Sequence, residues 1–487
     1  MDRSTEVELK LEFAPSDRDR LIASPLLEGQ STGKRLKATY FDTPARDLRR
    51  AGFVLRIRHD DSERTQTVKT ADGASLLCRR EWDRPVSDDQ PVVDERAGPL
   101  RDRISDARLS LLTPLFATDV ERIATTLQLS GATLIECAVD SGLVSADGRS
   151  ARISEIELEL IEGSPQSLFD LARRFDAHAP LRLGVQSKSA RGYALVDRTE
   201  AGAVKAAPVP LTPGMTPAQA FAAIAANCVS HYRFNEALLL DGDGAEAIHQ
   251  ARVAIRRLRS AFSLFSPLFS NDSQAAHIKA ELRWLSAEFG AVRDLDVLVN
   301  RLRPHERGML SAGRRERFTH LHALIESGRV RFLPVDIVEW LEIGAWRTAA
   351  VDNPLADAPI RDFAGERLGR MRRWIKRNGH DLAKLSDERL HQVRKEAKKI
   401  RYTSESLTAL YPSRKARTRM NSFLGALERL QDALGRLNDD ASTGTLLALY
   451  SGDIELPSLG PKKRRKLIEK AESAFDDLVG CRPFWRA

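Results

Sequence analysis

Cysteine is sparse in this chain, and the four present (Cys78, Cys137, Cys228 and Cys481) are scattered, with neither CxxC spacing nor a neighbouring histidine cluster. That excludes a disulfide framework and a thiolate zinc site, and points to the reduced thiols of a cytoplasmic protein. Long apolar runs are missing too: no stretch reaches the roughly 18 uninterrupted apolar residues of a membrane span. The first residues alternate acidic with apolar side chains and lack the basic segment and apolar core of a secretory signal. Cytoplasm, without membrane attachment, is the expected location. Aromatic residues make up 6% of the chain and do not interleave with the basic runs, which argues against a base-stacking surface for nucleic acid. Positive charge, by contrast, is abundant. The net charge is +8 and the pI about 9.3, favouring anionic partners such as phosphates. At 487 residues and 42% hydrophobic, the chain has the material for two or three cored domains.

The stretch Glu6-Val7-Glu8-Leu9-Lys10-Leu11-Glu12-Phe13 alternates strictly. In an extended strand that places Glu6, Glu8, Lys10 and Glu12 on one face and four apolar residues on the other. The pattern recurs with both signs of charge at Arg56-Ile57-Arg58, Thr67-Val68-Lys69 and Glu155-Ile156-Glu157-Leu158-Glu159. Carboxylates on some strands and cations on others suit a closed barrel whose interior holds metal ions and a polyanion. An open sheet with a salt-bridged wet face is the competing reading, because so many interior charges would be costly without such partners. Further strands are expected at Lys34–Phe41, Phe53–Arg58, Arg64–Lys69, Leu76–Trp82, Asp119–Ile123, Leu134–Val139, Leu143–Val144 and Ile153–Ile161, with helices at Leu168–Phe175 and near Ala45–Ala51.

Residues 199–213 are rich in Ala, Gly and Pro and read as a linker between a domain at 1–198 and another at 214–487. Beyond it the apolar period becomes 3.6, predicting helices at Pro217–Arg233, Glu246–Phe265, Gln274–Leu285, Leu295–Leu302, Pro359–Lys376, Asp387–Leu410, Arg417–Leu434 and Lys462–Leu478. A repeat runs through them: His249-Gln-Ala-Arg252 is echoed by His391-Gln-Val-Arg394, and Leu285–Asp294 by Leu430–Asp439. An all-α, duplicated helical bundle is therefore expected. His249, Arg252, Arg256 and Arg259 fall within an arc of about 80° on a helix, as do His391, Arg394, Lys398 and Arg401. Charge runs are commonly solvated faces, but acids are nearly absent from both stripes, which leaves a cationic surface suited to a linear polyanion.

Hard divalent cations such as Mg²⁺ prefer carboxylate oxygen; Glu6, Glu8, Asp140, Glu155 and Glu157 are the candidate ligands, with Glu159 as an alternative. Lys10, Arg56, Arg58, Lys69, Arg80, Arg122, Lys188 and Arg191 are the candidate phosphate binders. These residues, with Leu55-Arg56-Ile57-Arg58, Arg80-Glu81 and Ser187-Lys188-Ser189-Ala190-Arg191-Gly192-Tyr193, resemble the CYTH family over about residues 3–195. Residues 214–487 resemble the CHAD domain through the stripes at His249 and His391. The first resemblance implies an α+β domain built on an eight-stranded antiparallel barrel, the triphosphate tunnel. It implies hydrolysis or cyclisation of triphosphates with Mg²⁺ or Mn²⁺, and Arg56, Arg58 and Lys69 stabilising the transferred phosphoryl group. The second implies binding of inorganic polyphosphate, and with it an association with polyphosphate granules. Together the two resemble bacterial inorganic triphosphatases acting on tripolyphosphate. Thiamine triphosphatase, adenylate cyclase and a polyphosphate-binding scaffold with a weakly active barrel are the alternatives.

Overall fold

The computed structural model describes all residues except 1–5, 28–30, 61–62, 71–74, 95–97, 130, 200–201, 303–306, 350–354, 451–458 and 487. Two compact units divide the chain: Met1–Gly202 with Ser327–Ile343, and Ala203–Glu326 with Gly344–Ala487.

The first unit is built on strands β1 (Glu6–Phe13), β2 (Thr32–Asp42), β3 (Phe53–Asp60), β4 (Glu63–Thr70), β5 (Cys78–Arg79), β6 (Glu81–Pro85), β7 (Thr113–Gln128), β8 (Leu134–Ala146), β9 (Arg149–Glu162) and β10 (Leu181–Leu183). Pairing runs β1–β9–β8–β7–β2–β3–β4–β6, antiparallel at each step, and β5 returns to pair with β1. β5 and β6, interrupted at Arg80, thus act as one kinked eighth strand and close the ring. β10 lies along the remaining length of β1. The two predicted pieces at 134–139 and 143–144 are one long strand. The β8–β9 turn uses Asp147 and Gly148 at φ 49° and 73°, the left-handed pair a tight hairpin requires. The helix Asp47–Ala51 ends on Gly52 at φ 82°, a left-handed cap.

The barrel is inverted relative to an ordinary β-core, with charge inside and the apolar face outside. Leu9, Leu11, Ile135, Cys137, Ile156 and Leu158 point outward and are 0% exposed. They are covered in part by the helix Gln166–Asp176, whose Leu168, Phe169, Ala172 and Phe175 are also fully buried. The helix Gly328–Ile343, which comes from the middle of the region read as helical from sequence, belongs to this unit. It pairs Arg331 with Asp176 (2.7 Å) and holds Arg173 through Asp336 (2.6 Å) and Glu339. At one end of the barrel interior an apolar layer of Ala38, Tyr40, Phe116, Val120, Val144, Ile153 and Tyr193 packs together. Tyr193 comes from the helix Lys188–Val196, which Ser187 caps by accepting the Ala190 N–H.

The second unit is helical: Pro217–Asp241, Ala245–Leu264, Ser273–Arg301, Arg307–Glu326, Ile360–Asn378, Asp387–Ser406, Arg414–Tyr450 and Pro461–Gly480. Thr216 and Gln219 form a capping box ahead of Pro217; Asp272 and Ser386 cap the helices that follow them. The two helices predicted at 274–285 and 295–302 are one continuous helix. The helices Arg307–Glu326 and Gly328–Ile343 went unpredicted. Phe221, Phe262, Phe265, Phe269 and Trp346 form an aromatic core.

Candidate active site and cationic groove

Strand parity aims the charged faces of the barrel at a shared cavity of about 600 Å³. Acids sit on neighbouring strands: Glu6 and Glu8 on β1, Glu155, Glu157 and Glu159 on β9, Glu136 and Asp140 on β8. The cations Arg56, Arg58 and Lys69 come from β3 and β4, three or more staves from β8 and β9 by way of β7 and β2, and β4 meets β1 across the β5–β6 strand, where Lys69 reaches Glu6. One wall is therefore acidic and the facing wall basic.

Nearest the apolar layer, Asp140 and Glu155 are 0% exposed. With Glu157 they offer ligand oxygens that all lie within 4.8 Å of one another. The Lys188 ammonium stands among them, 2.8 Å from Asp140, 2.5 Å from Glu155 and 2.8 Å from Glu157. Lys10 approaches Glu155 at 3.3 Å and Glu157 at 3.1 Å. Arg122 grips Asp140 with two bonds of 2.7 Å and reaches Glu157 at 2.5 Å. Burial alone would raise the Glu157 carboxyl, but Lys188, Lys10 and Arg122 hold it well below the ordinary range. One Glu155 oxygen, Oε2, is buried without a hydrogen-bond partner. Three convergent hard-oxygen ligands with an unsatisfied buried lone pair fit a hard divalent cation.

Toward the other end, Glu136, Glu159 and Glu8 lie directly opposite one another across β8, β9 and β1. Like charges in register repel: burial, then Glu6, Glu136 and Glu8, push Glu159 up to about 7. Burial, then Glu157, raises Glu8. Lys69 bridges Glu6 (3.2 Å) and Glu81 (2.5 Å), and Arg56 lies 3.7 Å from Glu81. Neighbouring Arg56, then burial, lowers Arg58. Arg191 lies behind the cavity lining, bonded to Glu12 at 2.7 Å and 3.6 Å from Glu155. Arg80 is exposed at the strand break and does not line the cavity; its neighbour Arg79 does. Arg79, Asp83 and Glu136 were not singled out from sequence, and Glu81 entered only within the Arg80-Glu81 motif, without a site role. Glu136 was available, because it shares the parity of Asp140.

In the helical unit the basic helices Ala245–Leu264 and Asp387–Ser406 pack against each other and line a groove of about 1000 Å³. His249, Arg252, Arg256, Arg259, His391, Arg394 and Lys398 line it, joined by Lys279, Arg283, Arg293, Lys395 and Lys399. Arg401 does not; it pairs with Glu405 at 3.7 Å and stacks over Tyr402. The repeat is physical. Arg252 lies over Gly290 with its guanidinium 3.0 Å from Asp294, and Arg394 lies over Gly435, 3.9 Å from Asp439. Gly290 admits the close approach of Arg252, Gly435 stands in ordinary contact with Arg394, and each arginine keeps a buried, unpartnered Nε. The acids missing from the stripes thus come from the facing helices. His391 bonds Asn438, where the repeat-equivalent neighbour of His249 is Arg293. Burial, then Arg293, lowers His249. Burial and the surrounding Arg394, Arg256 and Arg252 bring Lys398 down to about 7.

The CYTH domain model matches residues 4–193, and the CHAD domain model residues 223–448. An inorganic triphosphatase from Haemophilus influenzae is 32% identical over 196 residues, covering 39% of this chain and 54% of that protein; the match thus spans about half of that relative's length. An uncharacterized protein from Mycobacterium tuberculosis is 26% identical across 98% of this chain and 97% of its own. Among solved structures, the CHAD domain from the plant Ricinus communis is 24% identical with a TM-score of 0.45, covering 58% of this chain and 93% of that one.

Proposed function

Because the chain carries a CYTH domain over residues 4–193 and a CHAD domain over residues 223–448, we propose that it is a metal-dependent inorganic triphosphatase whose helical region binds inorganic polyphosphate. The reaction is tripolyphosphate plus water to pyrophosphate plus phosphate. The observation that carries this reading is the division of one barrel interior into an acidic wall on β1, β8 and β9 and a basic wall on β3 and β4. A triphosphate needs cations for its oxygens, and a metal clamp needs acids that do not repel the substrate directly. Asp140, Glu155 and Glu157, with Glu6 and Glu8 on the same wall, would hold Mg²⁺ or Mn²⁺. When bound, such an ion neutralises phosphate oxygens and lowers the cost of charge developing on them.

The residues of the chain do the rest. Arg56 and Arg58 bind the phosphate oxygens, and Lys69, placed between Glu6 and Glu81, supplies a point charge at the boundary of the two walls. Together they stabilise the charge spread over the transferred phosphoryl group. As water adds to the terminal phosphorus, the P–O bond to the neighbouring phosphate breaks and the electron pair leaves with pyrophosphate. Lys188, Lys10 and Arg122 hold Glu157 ionised as a ligand. Among the described residues Tyr40 is the only aromatic side chain lining the cavity, which favours a substrate without a nucleobase or thiazolium ring. A phosphate-release panel over tripolyphosphate, long polyphosphate, ATP and thiamine triphosphate tests the reading. Tripolyphosphate is expected to give the highest kcat/KM; a preference for ATP or thiamine triphosphate would overturn it.

A further inference from the structure

The repeat that builds the groove is broken in charge at one pair of equivalent places. With the helix of His249 laid on that of His391, Arg259 corresponds to Arg401 and Ser263 to Glu405. With Gly290 laid on Gly435, Arg283 corresponds to Glu428 and Lys279 to Leu424. At the first place the side chains are Arg259, Ser263, Lys279 and Arg283, and all four line the groove. Among the described residues none of the three cations is ion-paired, and crowding shows in Arg259, which burial and then Arg283 lower. At the second place Arg401 is paired with Glu405 and Glu428 adds further negative charge beside it. None of Arg401, Glu405 and Glu428 lines the groove, and Lys399, which does, is paired with Glu396 at 2.6 Å.

Resting on the polyphosphate-binding reading, we propose that the groove is one-ended: a long phosphate chain crosses the centre at Arg252, Arg256, Arg394 and Lys398 and leaves only over Arg259, Lys279 and Arg283. At the repeat-equivalent place the groove lining stops, and Glu405 and Glu428 beyond it repel a chain that would continue that way. Phosphate oxygens recur along the chain, so each unpaired cation adds a contact and releases counterions, while a paired arginine beside two carboxylates offers a phosphate little gain. The centre then holds any chain segment, and the extra cations select chains long enough to extend beyond it.

The test uses the full-length protein in EDTA, with long-chain inorganic polyphosphate as the probe and affinity measured across a salt series. Lys279→Glu with Arg283→Glu should weaken binding roughly tenfold or more and lower the salt slope by about two. Lys462→Glu with Lys463→Glu makes the same change in net charge on exposed residues of another helix and should shift affinity less than about twofold. Glu405→Ser with Glu428→Arg should open the second exit and tighten binding severalfold. Equal loss from the two lysine-bearing pairs, or no gain on removing the acids, overturns the one-ended groove while wild-type binding stands. Absence of salt-dependent binding by the wild type overturns the parent reading instead, and this inference with it. Thermal melts of each variant separate lost binding from lost folding.

Discussion

Lys398→Arg keeps the charge of the groove but removes its proton switch. Lys398 faces Arg394, Arg256 and Arg252, with Asp439 the one opposing carboxylate among the groups that shift it, and burial together with those arginines brings its ammonium to about 7. A bound polyanion supplies the missing counter-charge and returns the amine toward the ordinary lysine value, so binding takes up a proton wherever the free amine is neutral. Linkage then fixes the sign: affinity rises as pH falls. With the free value near 7 and the bound value well above 8, the gain from about pH 8 to about pH 6 is roughly tenfold from this group alone. His249 is lowered by burial and then by Arg293, so the arginines that face it oppose its protonation. The assay is titration of the full-length protein with long polyphosphate at constant ionic strength. Wild type should show the tenfold gain and Lys398→Arg a nearly flat profile at an affinity no weaker than wild type at pH 8. If Lys398→Arg keeps the full pH dependence while His391→Ala abolishes it, the reasoning about Lys398 is refuted.

Three further outcomes follow from the barrel. Lys188→Ala leaves Asp140, Glu155 and Glu157 with one cation fewer, a loss of about 3–5 kcal/mol for an uncompensated buried cluster. The melting temperature should drop and recover in part with Mg²⁺, and a drop that Mg²⁺ leaves untouched would contradict a cation site there. Arg56→Ala and Arg58→Ala each remove a charge-assisted contact of about 1.5–3 kcal/mol, so kcat/KM for tripolyphosphate should fall about 10- to 150-fold with folding retained by circular dichroism. A fragment ending at residue 198 lacks the helix Gly328–Ile343, whose Val335, Val338 and Trp340 are buried. It should aggregate by light scattering unless residues 327–343 are supplied, and a monodisperse fragment would show the helix to be dispensable.

Much of this architecture is legible in the alternation of charge and apolar residues on β1, β3 and β9, whereas the inward faces of β2 and β7 are largely apolar or neutral (Leu36, Ala38, Tyr40, Thr118, Val120) and carry no such signal. The acidic row on β9 reads directly, yet Glu155, Glu157 and Glu159 share one parity, so only depth along the strand separates the buried cluster from the repelling row at Glu159. The kinked eighth strand is illegible for a different reason. Arg79-Arg80-Glu81 places charge at both parities, so alternation cannot choose which face lines the cavity; Arg79, Glu81 and Asp83 do, and Arg80 is exposed. In the helical region, Gly290 reads as an interruption of the helix Ser273–Arg301, whereas it serves the close approach of Arg252. The helix Gly328–Ile343 contains Pro334 and is buried almost all round, which leaves no polar face from which a period could be read. The Arg283–Glu428 asymmetry was present in the repeat from the outset, but it gains meaning only when the facing helices are seen to line one groove.

The central claim is that the barrel hydrolyses tripolyphosphate with a metal held on its acidic wall. The most direct measurement is phosphate release from tripolyphosphate by wild type and Glu8→Gln, each in Mg²⁺ and in EDTA, with a melt of both proteins alongside. Wild type should turn over in Mg²⁺ and stop in EDTA, and Glu8→Gln should fold yet lose at least about tenfold in activity. Equal turnover in Mg²⁺ and EDTA, or a folded Glu8→Gln with wild-type activity, would contradict it.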